Sequence, residues 1–224
     1  MMVSLHDAGR GVAGTTGFEW KLRRERTFMR KVLMFLTQGF EDLEAVTIID
    51  AIGWTRVRGH LIPLDLRTCA LHDEVVGKFG TRVKVDFNAR QQTIPLEEFS
   101  AFVLPGGFHD SGFDEAYCEE VYRIASHIRS RDGVVATMCV GVLPIADAGL
   151  LAGKKATTYP LSRFHDNVSR LRAGKAEYTA RKIEMDSNII SCAGPASSLE
   201  VAFCLIEALT GKANADEVKE LMIY

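Results

Sequence analysis

The sequence predicts an α/β protein in which helices flank a mostly parallel β-sheet. Short apolar runs alternate along the chain with segments of helical spacing, which is the order expected of this fold class. Several of the runs are continuously apolar, as in strands buried on both faces. In residues 134–144, a run rich in β-branched residues meets Cys139 and then Gly141 before a further apolar stretch. That order indicates a strand, a sharp turn and a helix, similar to a nucleophile elbow.

The first half of the chain predicts one strand and one helix, followed by further strands. Residues 32–36 are a continuous apolar run typical of a buried strand, and residues 37–39 predict a turn. A helix follows in which these apolar residues recur at helical spacing: Phe40, Leu43, Val46, Ile49 and Ile52. Further strands are predicted within residues 56–66, 75–87 and 101–104.

The clearest helix in the second half is predicted over residues 114–132. Its acids lie early and its arginines late, and Gly133 ends it. Ser197 and Glu200 form a capping-box pattern that opens a later helix, which Gly211 closes. The other predicted elements are a strand at residues 154–159, a hairpin of residues 178–183 with 189–192, and a short helix within residues 214–222.

The composition argues against several classes of function. The chain has 224 residues, 47% of them hydrophobic, and a formal net charge of -2, which is enough chain for one substantial core. No basic stripe predicts nucleic-acid binding, and no apolar run reaches membrane-spanning length. Its five cysteines are scattered without a CxxC pair, so no disulfide framework or zinc site is indicated. We therefore expect a cytoplasmic protein without a metal, a nucleic-acid partner or a membrane partner.

Residues 1–28 differ from the rest of the chain. They contain four glycines and a basic cluster but no apolar core of a signal peptide. Residues 9–14 match the dinucleotide fingerprint GxGxxG, but no strand pattern precedes them and no helix pattern follows, so we treat the match as chance. We expect a disordered or non-native N-terminal extension at residues 1–28 and a single domain over residues 29–224.

Cys139 is the first candidate for chemistry. A thiol at the start of a helix faces free backbone N–H groups and the positive end of the helix dipole, so it would ionise more easily. Gly141 supplies the missing side chain that such a tight turn usually needs. The sequence alone leaves an alternative open, because a free cysteine is often just a small buried apolar residue.

Three segments are predicted to meet at one edge of the sheet. Ligands of open parallel sheets bind at the carboxyl ends of the strands. The segment 39–44, the glycine pair Gly106–Gly107 and Cys139 each follow a predicted strand. Together they would supply an acid or base, an oxyanion site and a nucleophile. The first segment crowds three acids into a helix start, Glu41, Asp42 and Glu44, and dipole compensation explains two of them.

Four motifs together resemble one known family. They are residues 31–33 with 39–45, then 104–107, 138–141 and 194–195. In this order they are similar to the ThiJ/PfpI family, in particular to the subgroup of the parkinsonism-associated protein deglycase and its bacterial relatives. The resemblance covers residues 29–224. It implies a flavodoxin-like three-layer sandwich and a homodimer.

The resemblance also implies roles for single residues. Cys139 would be the reactive cysteine and Glu44 a protonated glutamate beside it. The backbone N–H groups of Gly107 and Val140 match the oxyanion-type site of the family. Controlled oxidation of Cys139 is then expected as well as nucleophilic attack.

Two positions depart from the family pattern. Tyr159 stands where the best-known members carry a histidine, and Val140 stands where protease-like relatives carry one. A Cys–His pair is therefore not evident, and we do not expect a peptidase. Tyr159 could donate a hydrogen bond or could simply form an amphipathic wall. His109 could act as a proton shuttle, although a surface histidine in a loop is the commoner case.

These residues lead to two main hypotheses of function. The first is a cofactor-independent glyoxalase or deglycase-like enzyme that acts on 2-oxoaldehydes such as methylglyoxal or on their protein adducts. The second is a redox-sensing or chaperone-like stress protein in which Cys139 is an oxidation switch. A role in thiamine-precursor metabolism is suggested only by the older name of the family.

Overall fold

The computed structural model describes residues 29–224, and a seven-stranded sheet lies at its centre. The strands of this sheet are β1 (Arg30–Phe35), β2 (Leu64–Ala70), β5 (Phe87–Asn88), β6 (Phe99–Leu104), β7 (Val134–Met138), β10 (Ile183–Asp186) and β11 (Ile189–Cys192). Their order across the sheet is β10-β11-β7-β6-β1-β2-β5. All neighbouring pairs are parallel except β10 with β11. The expected extension at residues 1–28 lies outside the described residues.

Two small strand pairs lie apart from this sheet. The strands β3 (Glu74–Val76) and β4 (Arg82–Lys84) form an antiparallel hairpin. The strands β8 (Lys155–Ala156) and β9 (Glu177–Tyr178) pair in parallel.

Within residues 29–224, six α-helices cover the two faces of the central sheet. They are α1 (Asp42–Trp54), α2 (Glu119–Ser130), α3 (Val142–Asp147), α4 (Asn167–Ala173), α5 (Ser198–Thr210) and α6 (Lys212–Leu221). Residues of α1, α5 and α6 share one buried cluster with alternate strand residues, and residues of α2, α3 and α4 share the other. The predicted α/β class and the three-layer, flavodoxin-like sandwich are therefore confirmed.

The strand order positions the site. Between β1 and β6 the direction of strand addition reverses, because β2 lies on one side of β1 and β6 on the other. Such a switch point leaves a crevice at the carboxyl ends of the strands. Within residues 29–224, no helix is long and apolar enough to cross a membrane.

Several predicted elements differ from the observed ones. Over residues 114–132 the α-helix begins only at Glu119, because residues 113–116 form a separate 3₁₀ turn after the left-handed Gly112. Residues 56–62 are turns, since the extended run begins at Leu64. The predicted strand at residues 178–183 is wrong as well: its first residue closes β9, and β10 begins only at its last. The hairpin turn at residues 186–188 is confirmed.

Two details of the helices are also corrected. The capping box at Ser197 does not form, because its side chain makes no cap hydrogen bond. In α1 the apolar residues at helical spacing do not all face the core: Leu43, Val46 and Ile49 are 53%, 43% and 36% exposed. The buried side of this helix instead carries Glu44. Helix α1 is therefore oriented so that the acid Glu44 is buried and the apolar stripe of Leu43, Val46 and Ile49 lies on the surface.

Candidate active site

The loops after β1 and β6 are joined at the switch point by backbone hydrogen bonds. The Glu41 N–H donates to the Gly106 carbonyl at 2.9 Å, and the Phe108 N–H donates to the Gly39 carbonyl at 2.9 Å. These bonds fix the start of α1 against the glycine pair. The loop after β7, which carries Cys139, meets them at the same edge of the sheet.

Glu44 lies in the first turn of α1 and is completely buried. Its Oε2 accepts the Gly106 N–H at 2.7 Å, while its Oε1 has no hydrogen-bond partner among residues 29–224. Burial raises the pKa of Glu44 to about 8; the Gly106 N–H opposes this shift, and the charge of Glu41 adds to it. Glu44 is therefore a mostly neutral acid at pH 7, with one oxygen unengaged.

The other two acids of this helix start serve the local fold. Oε2 of Glu41 accepts the Glu44 N–H at 2.8 Å and so caps α1. Asp42 accepts the backbone N–H groups of Phe79 and Thr81 at 2.9 and 2.8 Å, which holds the β3–β4 hairpin against the helix. Asp42 is thus structural, Glu41 both caps the helix and lines the cavity, and Glu44 is the acid that is completely buried.

Cys139 forms a sharp elbow between β7 and α3. Its φ of 54° lies in the left-handed region, which is rare and strained for a residue with a side chain. The turn needs glycines on both sides: a Cβ on Gly141 would lie 2.3 Å from the Leu104 carbonyl oxygen. A Cβ on Gly106 would lie 2.7 Å from Cβ of Cys139 and 3.0 Å from Oε2 of Glu44. The space at Gly106 therefore brings the cysteine and the acid together.

The structure corrects the expectation of an easily ionised thiol. Burial raises the pKa of Cys139 well above its ordinary value, and negative charge on Glu44 raises it further. The Val140 N–H lowers it, but α3 has only six residues and its dipole is correspondingly weak. Because Glu44 is mostly neutral at pH 7, its repulsion is then largely absent. The two groups together hold one negative charge more readily than two.

A cavity of about 730 Å³ opens in front of the elbow. Cys139 is only 9% exposed, but it lines this cavity together with Val140 and Gly107. The Gly107 N–H has no acceptor among residues 29–224, so it is free to bind an anionic oxygen. Tyr159 also lines the cavity, and its backbone carbonyl accepts a hydrogen bond from Asn167 at 2.9 Å. Of the predicted site residues, Gly107, His109, Cys139, Val140 and Tyr159 line this cavity, whereas Glu44 does not and is completely buried.

His109 lies at the cavity and is not a free surface histidine. Its side chain is 18% exposed, and Nδ1 lies 2.5 Å from Oδ1 of Asp114. Its ring centroid lies 4.3 Å from that of His165, which also lines the cavity. Sequence reasoning did not find Asp114 or His165, because both lie in segments without a motif. Within the described part of the chain, no group of three or more metal-ligating side chains could hold a metal ion.

Comparisons with known proteins agree with this architecture. The model of the DJ-1/PfpI family matches residues 30–208. Protein DJ-1 homolog A of Arabidopsis thaliana is 29% identical over 199 residues, which cover 88% of this chain and 47% of the relative. Deglycase PH1704 of Pyrococcus horikoshii is 30% identical over 166 residues, which cover 74% of this chain and 91% of the relative.

A solved structure shows the same fold. Oxidized DJ-1 of Toxoplasma gondii matches with a TM-score of 0.73 at 22% identity, over 87% of this chain and 98% of that chain. This chain matches less than half the length of each of two Arabidopsis thaliana relatives: 47% of Protein DJ-1 homolog A and 40% of Protein DJ-1 homolog B.

Proposed function

Because this chain belongs to the DJ-1/PfpI family, we propose that it is a cysteine-dependent enzyme of the glyoxalase or deglycase type that needs no cofactor. Its substrates are 2-oxoaldehydes such as methylglyoxal, or the adducts that these aldehydes form on proteins. Two relatives named as deglycases, from Pyrococcus horikoshii and Pyrococcus furiosus, support this class of reaction. The observation that supports the proposal is the close approach at Gly106, where a Cβ would lie 2.7 Å from Cβ of Cys139 and 3.0 Å from Oε2 of the neutral Glu44, whose Oε1 has no hydrogen-bond partner among residues 29–224.

The first step is the addition of sulfur to the aldehyde. The reacting form is the pair with one negative charge, in which the thiol proton has passed to Glu44 and the sulfur is a thiolate. The C–S bond forms as the carbonyl electron pair moves to oxygen. The N–H groups of Gly107 and Val140 stabilise that oxygen, and Glu44 donates its proton to it, which gives a hemithioacetal and leaves Glu44 as a carboxylate.

The second step moves a proton between neighbouring carbons. Glu44, now a carboxylate, removes the proton from the carbon bonded to sulfur and returns it to the adjacent former ketone carbon, while the hydroxyl proton passes to the former ketone oxygen. The unengaged Oε1 suits this shuttle, because Oε2 is held by Gly106. The product is a thioester of a 2-hydroxy acid on Cys139. Water cleaves the thioester, so that methylglyoxal and one water give lactate and the free thiol.

Lactate formation from methylglyoxal tests this proposal. We expect Cys139→Ser and Glu44→Gln each to lower kcat/KM by about 10²-fold or more, as for the loss of a nucleophile or a positioned acid. Cys118→Ser is the matched control, since this half-buried thiol does not line the cavity. Full activity in either site variant would contradict the mechanism.

One observation also favours the redox alternative. A neutral Glu44 with a free oxygen can donate a hydrogen bond to an oxidised sulfur, and one similar structure is an oxidized DJ-1. In that case mild peroxide converts Cys139 to the sulfinate and changes partner binding, while methylglyoxal is not turned over. Intact-mass analysis after peroxide treatment, done beside the lactate assay, separates the two functions.

A further inference from the structure

The reaction sequence proposed above needs a base that Glu44 cannot easily supply. Hydrolysis of the thioester requires removal of a proton from a water molecule on the open side of Cys139. Glu44 is completely buried behind the elbow, and one of its oxygens is fixed on Gly106. A second acid–base group that faces the cavity would take this proton on the open side; of the lining acids, Glu41 caps α1 and Asp110 pairs with Lys78, which leaves the histidines. This inference rests on the proposed function and extends it to the last step.

His109 has the position and the orientation for this task. It follows the oxyanion donor Gly107 by two residues and lines the same cavity. Asp114 lies 2.5 Å from its Nδ1, which fixes the tautomer with the proton on Nδ1 and leaves Nε2 as an acceptor. The imidazole also packs edge-on against Phe113 and parallel to Tyr117, so its plane is held.

His165 provides a path for the proton that His109 takes up. Its ring centroid lies 4.3 Å from that of His109, and it belongs to the exposed segment before α4. Two other histidines, His60 and His72, also pair with glutamates, but neither lines the cavity. Among the described residues, an oriented imidazole with a neighbouring imidazole on the cavity that Cys139 lines occurs at His109.

We propose that His109, oriented by Asp114, is the general base that activates water for hydrolysis of the thioester on Cys139. The water proton passes to Nε2 of His109 as the oxygen attacks the acyl carbon. The tetrahedral oxygen binds the N–H groups of Gly107 and Val140, and the C–S bond then breaks. The sulfur leaves as a thiolate, and His165 carries the proton from His109 to solvent. Asp114 is a positioning residue.

The acyl-enzyme that accumulates in His109→Asn tests this assignment. With methylglyoxal we expect a rapid burst followed by a steady rate about 10²-fold below that of the unaltered protein. Intact-mass analysis should show one substrate mass on Cys139 that survives acid denaturation and is released by hydroxylamine, as a thioester is. Imidazole should partly restore the turnover of His109→Ala. Asp114→Asn should slow the same step less, and Asp114→Glu should regain part of the rate.

The controls separate the possible failures. His60→Asn removes an equally paired histidine outside the cavity and should leave the rate unchanged. Circular dichroism and alkylation of Cys139 by iodoacetamide show whether a variant is folded, and His109→Gln is a second variant if His109→Asn is not. If the unaltered protein makes lactate but His109→Asn keeps its rate and holds no thioester, the role of His109 is wrong. If the unaltered protein makes no lactate, the proposed function is wrong, and the role of His109, which rests on it, is wrong as well.

Discussion

At the scale of single residues, Gly106 lies in contact with both the acid Glu44 and the cysteine Cys139. Its N–H holds one oxygen of Glu44, and the space where a Cβ would stand separates that oxygen from Cys139. Gly106 therefore both binds the acid through its N–H and leaves the space that the close approach of Cys139 requires. The paired glycines were visible in the sequence as a close-approach signal, but the approaching atoms were not.

Replacing Gly106 by alanine should affect both activity and stability. The new methyl group would lie 2.7 Å from Cβ of Cys139 and 2.9 Å from the Met138 carbonyl oxygen. We expect a loss of about 1–3 kcal/mol in the free energy of unfolding, as for overpacking, and a loss of most lactate formation. Urea unfolding and the lactate assay measure the two effects.

Gly53 offers a control at a glycine away from the site. It lies near the end of α1, and a Cβ there would meet no atom within 4 Å. Gly53→Ala should leave activity unchanged and stabilise the protein by up to about 1 kcal/mol, because alanine is the better helix former. Equal effects of the two substitutions would contradict the role given to Gly106.

Among the elements, α1 shows what a periodic pattern can and cannot predict. The spacing of Leu43, Val46 and Ile49 correctly predicted a helix, but these three side chains face away from the core. Apolar periodicity identifies a face that avoids water, whether the core or another protein covers it. Glu44 was found as a site candidate by order and resemblance, since no local rule predicts a buried acid.

The exposed stripe on α1 carries the expectation of a homodimer. Three apolar side chains one helical turn apart, all at least 36% exposed, form a surface that a second copy could cover. We expect the unaltered protein to be a dimer by light scattering after size-exclusion chromatography, and Val46→Glu to shift it toward monomers. Val57→Glu is the control, because Val57 is 49% exposed but lies outside α1. A monomeric unaltered protein would refute the dimer.

Across the fold, the sequence predicted the layers and the edge of the sheet where the site lies. Alternating apolar runs fixed the class, and the rule that ligands bind at carboxyl strand ends placed Cys139, Glu44 and Gly107 together. The sequence did not predict the contacts between residues that lie far apart along the chain. The pairing of His109 with Asp114 and His165 depends on how two loops fold over the cavity, and the thiol pKa depends on burial that no pattern reports.

Burial of Glu44 links the site to the stability of the entire fold. An acid whose pKa rises from 4.5 unfolded to about 8 folded binds its proton more tightly in the folded state. Below pH 4.5 Glu44 is protonated in both states and does not lower the free energy of unfolding. As the pH rises from 4.5 through about 8, the free energy of unfolding falls, because only the folded state still holds the proton. With about 1.4 kcal/mol per pKa unit, the loss across this range is roughly 3–5 kcal/mol. Glu44→Gln keeps the shape of the side chain but removes its titratable carboxyl group.

The decisive measurement is the free energy of unfolding in urea at a series of pH values between 5 and 9, for the unaltered protein and for Glu44→Gln. If the fold holds Glu44 as a neutral acid beside Cys139, the difference in stability between the two proteins changes by several kcal/mol over this range, and the variant gains relative to the unaltered protein as the pH rises. Glu97→Gln, at an exposed position, should follow the unaltered protein. A constant difference between the unaltered protein and Glu44→Gln would show that Glu44 is ionised in the folded state, and the proposed chemistry would then lack its acid.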